Sequence, residues 1–70
     1  MDAEEIKYLE KEVSKARFAL SQKAGQLHDL VEDRLPNSFE EIPILADETY
    51  QACKQWDILN KQLTEAQKLL

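Results

Sequence analysis

The sequence predicts an all-α fold, an antiparallel two-helix hairpin that pairs with a second copy into a four-helix bundle. Three observations point there. Glycine and proline supply only three of the 70 residues, while Ala, Leu, Glu, Lys and Gln dominate, a composition that favours long helices. Apolar residues recur at steps of three and four along two separate stretches. Between the stretches lies one proline-bearing break, Asp33-Arg34-Leu35-Pro36-Asn37-Ser38.

The first stretch reads Ile6, Leu9, Val13, Ala16, Leu20, Ala24, Leu27 and Val31. Its consecutive steps of four from Ala16 through Leu20 to Ala24 interrupt a strict heptad and relax any supercoil there. Gly25 sits in the same turn. A glycine inside a helix costs about 1 kcal/mol relative to alanine, so the position is either a soft spot or a point of close helix packing. Helix 1 is expected over about 3–34, because proline disfavours helical geometry in the residue before it.

The turn is expected over 35–42. Ser38 and Glu41 have the spacing of a capping box, which predicts a short helical turn at 38–41. Pro43 is favourable in the first helical turn and costly deeper inside a helix, so helix 2 is placed at about 43–69.

Helix 2 carries the more regular repeat: Leu45, Thr49, Ala52, Trp56, Leu59, Leu63, Ala66 and Leu70. Steps alternating four and three are those of a coiled-coil seam. Ile42, Ala46, Tyr50 and Cys53 add a second apolar row on its N-terminal half, wider than one facing helix covers. A short connection makes the helices antiparallel neighbours. Each stripe is then half covered, and a two-fold dimer is the simplest remedy. Leu20, Leu27, Val31, Leu45, Tyr50, Trp56, Leu59 and Leu63 are the expected core and dimer residues, within one domain over 1–70. Cys53 reads as a small buried hydrophobe.

Several function classes are disfavoured. One cysteine forms no intrachain disulfide, and no Cys/His spacing suggests structural zinc. No nucleophile motif or phosphate-cradling glycine loop is present, and a two-helix rod offers little concave volume, so no enzyme is expected. Neither a signal peptide nor a membrane span is expected, and a lone thiol suits a reducing cytoplasm.

Charge is unevenly spread. Between Asp29 and Glu48, seven acids (Asp29, Glu32, Asp33, Glu40, Glu41, Asp47 and Glu48) face a single base, Arg34, for a local charge of −6. The rest of the chain holds seven acids and eight bases, a local charge of +1. An acidic end repels phosphate backbones, so a structural RNA-binding bundle ranks last among the readings. The acidic end is either a solvated turn or a docking surface for a basic patch, with Asp29, Glu32, Asp33, Glu40 and Glu41 as its candidate residues.

His28 is the residue with most chemical potential. With Glu32 at i+4 it shares a helix face, and both side chains could reach one divalent transition metal. A nearby dimer axis would double that donor set. The alternative is an ordinary interface histidine.

The segments Ala24-Gly25-Gln26-Leu27-His28-Asp29-Leu30-Val31-Glu32-Asp33, Leu35-Pro36, Phe39-Glu40-Glu41-Ile42-Pro43 and Ala46 through Thr49-Tyr50 resemble small Rop-like proteins encoded within bacterial nitrogen-fixation gene clusters. The resemblance runs over roughly 9–63. It departs from the family pattern where Arg34 stands between Asp33 and Leu35-Pro36. It implies a dimerising helical hairpin and a cytoplasmic accessory role in nitrogen fixation. It further implies a histidine at the position of His28 that is a candidate metal ligand. The implied partners are the nitrogenase molybdenum–iron protein or its cofactor-assembly proteins.

Overall fold

The computed structural model describes residues 2–69; the expected seam residue Leu70 lies outside them. Helix α1 runs Ala3–Asp29. Its start follows from Asp2, whose carboxylate accepts the Glu5 N–H at 2.9 Å. This satisfies one of the orphan donors of the first turn, and Glu4 and Glu5 complement the helix dipole there. The chain stays helical through a wider π turn, Leu30–Arg34.

Leu35 then turns extended, and the Leu35–Pro36 peptide is cis. The connection is held by backbone: Ser38 N–H donates to Arg34 O at 3.0 Å and Glu41 N–H to Ser38 O at 3.0 Å. A 3-10 turn, Phe39–Glu41, leads into α2, Ile42–Lys68, with Pro43 in its first turn. The capping box does not form as the spacing suggested. Ser38 makes no side-chain cap, and the Glu41 carboxylate instead takes the Arg34 guanidinium at 3.1 Å.

Helix makes up 91% of the described residues, and no strand occurs among them. The hairpin is a rod of 52 × 14 × 12 Å, one helix long, two helices wide and one layer thick. A rod so thin has almost no interior. Leu30 is fully buried, and Ile6, Leu9, Leu45 and Ala66 nearly so. At the terminal end Ile6 and Leu9 close on Ala66, with Leu63 against them. Toward the loop the Lys23 ammonium meets Glu48 at 3.2 Å, which keeps the same antiparallel register.

The second seam lies where its periodicity placed it, from Leu45 through Ala66. The first departs from expectation beyond Leu20. The buried and half-buried positions continue as Lys23, Leu27 and Leu30, so the three-four alternation is unbroken. Ala24 and Val31 face outward, Val31 being 55% exposed. The lysine concealed this, because a charged residue in a seam does not register as apolar. Its aliphatic stem can cover the seam while the ammonium reaches a carboxylate.

Tyr50 (60% exposed) and Cys53 are likewise open in the hairpin. The Cys53 expectation of a small buried hydrophobe is therefore corrected: its row lies to one side of the contact with α1. Leu20, Leu27, Trp56, Leu59 and Leu63 are half-buried, each covered by the facing helix and open on its other flank.

Gly25 is a soft spot in the hairpin rather than a packing point. A β-carbon built there meets nothing within 4 Å, and its φ is not positive. Gly25→Ala is therefore expected to stabilise the protein by about 0.5–1 kcal/mol, by removing freedom from the unfolded chain. Thermal unfolding followed by circular dichroism reads this as a midpoint several degrees higher.

Candidate interaction surface

A surface, rather than a cavity, is what this fold offers. For a mass of 8.1 kDa, folded monomers expose about 4,500 Å² by the usual scaling. The hairpin exposes 5306 Å². The excess, roughly 800 Å², is close to what one partner contributes to a standard protein–protein interface. Much of it is apolar: Tyr8, Phe18, Val31, Phe39, Ile44, Tyr50, Ile58 and Leu69 are all large exposed hydrophobics.

Two distinct regions stand out. The first is the open flank of the seam, which runs the length of the rod through Leu20, Leu27, Trp56, Leu59 and Leu63. The second is the loop end. There Glu32, Asp33, Glu40 and Asp47 are exposed, and Glu41 and Glu48 are half-buried. Arg34, the single base of the acidic stretch, is held by Glu41, and Glu48 is engaged by Lys23. The remaining carboxylates have no cation of this stretch to offset them, so the end presents a negative field to approaching molecules.

His28 lies on the outer surface, with Nδ1 3.6 Å from Asp29 Oδ1 and Nε2 3.7 Å from Glu32 Oε1. The helical spacing thus does bring His28 and Glu32 together. The side chains are about 70% and 63% exposed, and such pairs are worth little to stability. Among the described residues no group of three or more His, Cys, Asp or Glu side chains is placed to hold a metal ion.

No buried side-chain polar atom lacks a partner among the described residues. A shallow concavity lined by Lys61, Gln62, Glu65, Ala66 and Leu69 lies at the terminal end, open and almost wholly apolar. No helix among the described residues is long and apolar enough to cross a membrane.

Sequence periodicity missed Leu30 and Lys23. The signal was available in the i, i+7 spacing: Lys23 follows Ala16, and Leu30 follows Lys23, at the same heptad position.

A single antiparallel hairpin with an uncovered seam defines the class: a small helical-hairpin domain, not a typical enzyme fold. The chain belongs to the Rop-like family, whose model matches residues 4–68, a family of dimeric helical hairpins. No curated protein and no solved structure matches it.

Proposed function

We propose that this protein is a noncatalytic accessory factor of nitrogen fixation. It works in the cytoplasm as a homodimeric four-helix bundle and binds nitrogenase or one of its cofactor-assembly proteins through the acidic loop end. The observation that carries the binding mode is the unneutralised cluster of exposed carboxylates at one end of a rod that is otherwise nearly charge-balanced. The link to nitrogen fixation rests on the resemblance around Leu27-His28-Asp29-Leu30 and Ile42-Pro43 through Thr49-Tyr50. Dimerisation is supported by the half-covered seam and by exposed area in excess of a compact monomer.

The test is affinity capture with tagged protein from nitrogen-fixing and ammonium-grown cells, read by mass spectrometry. Nitrogenase or cofactor-assembly proteins are expected only from fixing cells. Reversing Glu32, Asp33, Glu40 and Glu41 to lysine is expected to cut their recovery at least tenfold while the far-ultraviolet circular dichroism stays helical. Equal recovery by the reversed variant would remove the acidic end from the binding surface.

A second reading, a divalent-metal protein built on paired His28 side chains, has the 3.7 Å approach of His28 to Glu32 in its favour. It requires the second copy to complete the donor set. Submicromolar Zn²⁺ binding by the wild type, lost in His28→Ala, would favour it.

A further inference from the structure

The apolar surface of α2 is not uniform along its length, and the difference separates two kinds of partner. The seam continues from Leu45 to Ala66, as a face covered by a second copy should. The outer rows do not. Ala46 and Cys53 are followed at the same heptad position by Asn60 and Gln67, and Tyr50 by Asp57 and Thr64. Phe39, Ile42, Ala46, Tyr50 and Cys53 are all exposed, and their spacings of three and four place them along one side of the helix. This stripe ends at about the middle of α2. From Phe39 to Tyr50 it spans roughly 16 Å at 1.5 Å per residue, three turns of helix.

On α2, a second copy offers this stripe no matching apolar face. Two copies with their loops side by side would bring together two stretches of −6 each, which repel. With the loops at opposite ends, the stripe would face the terminal half of the second copy. On α2 that half offers Asp57, Asn60, Thr64 and Gln67 along the corresponding rows, a poor match for Phe39 and Tyr50.

The border of the stripe is acidic instead. Asp47 is exposed on α2 and Glu40 in the 3-10 turn that leads into it, with Glu32 and Asp33 exposed in the π turn that follows α1. Resting on the partner-binding reading above, we infer that the loop-proximal stripe of α2 is the docking site for a basic amphipathic helix of the partner protein. About three turns of that helix would lay apolar residues spaced at i, i+3 and i+4 over Ile42, Ala46 and Tyr50. Its lysines and arginines would meet Glu32, Glu40 and Asp47. Apolar contact supplies the affinity, while charge selects the partner and speeds encounter.

The probe is a fluorescein-labelled 18-residue peptide of leucine and lysine in amphipathic helical order, titrated with the full-length protein and read by anisotropy at 150 mM salt. Two controls have the same length: a scrambled peptide of identical composition, and a peptide with glutamate for lysine. The ordered basic peptide is expected to bind at least tenfold more tightly than either control. Phe39→Ser and Tyr50→Ser are expected to weaken it at least tenfold without changing the sedimentation of the protein alone. Equal binding of the scrambled peptide, or no effect of either variant, overturns the inference. Dissociation of the dimer by Tyr50→Ser also overturns it, by giving the stripe to a second copy. The peptide arms are independent of nitrogen fixation. If they fail while capture from fixing cells succeeds, only the helix assignment falls. If capture fails while the peptide binds, only the nitrogenase assignment falls.

Discussion

Leu30→Ala is expected to cost about 2–5 kcal/mol, the range for removing a fully buried leucine and leaving a cavity. Among the described residues Leu30 is the one large side chain that is fully buried, and it opens the π turn that follows α1. A single core in a domain of this size supplies only about 3–5 kcal/mol. The substitution would therefore remove most of the stability of an isolated hairpin, and urea denaturation would show a greatly reduced midpoint. Val31→Ala is the informative comparison. Val31 is more than half exposed, and its truncation is expected to cost under 1 kcal/mol. A larger loss at Val31 than at Leu30 would mean that the stripe reads through Val31 rather than Leu30.

That comparison also marks how far the fold was legible. The two helices, the break and the α2 seam from Leu45 to Ala66 follow from steps of three and four, because a helix buried on one side must repeat with its own period. The α1 seam was legible only to Leu20. Beyond it, Lys23 takes a seam position by virtue of a contact with Glu48, 25 residues along the chain, and local periodicity contains no information about such a partner. Ala24 and Val31, both apolar and one residue further on, offered a false continuation. The capping box at Ser38 and Glu41 failed for a similar reason, since Glu41 is drawn to Arg34 across the turn. Of the candidate sites, the acidic end was visible as a run of charge and the approach of His28 to Glu32 as an i, i+4 spacing. The row of Ile42, Ala46, Tyr50 and Cys53 was visible as wider than one facing helix covers, but the exposure of Phe39 and Cys53 was not, because composition does not distinguish an apolar position that is covered from one left open.

Trp56→Ala is expected to weaken dimerisation by 2 kcal/mol or more, about 30-fold in dissociation constant. Trp56 is at the middle of α2 and half-buried by α1, so its remaining surface lies on the open flank of the seam. On the proposed bundle, a second copy covers that surface, and an indole near the centre of an interface is the side chain whose truncation costs most. The single tryptophan also reports the event directly in the unmodified protein. Diluting the wild type should shift its emission to the red over the same concentration range in which sedimentation shows dimer giving way to monomer. If the mass falls while the emission stays fixed, the second copy packs elsewhere and Trp56 belongs to the hairpin alone. If neither changes and the mass is that of one chain, the seam is open in solution, and its excess apolar area awaits a different protein. In that event Trp56→Ala should leave the mass untouched.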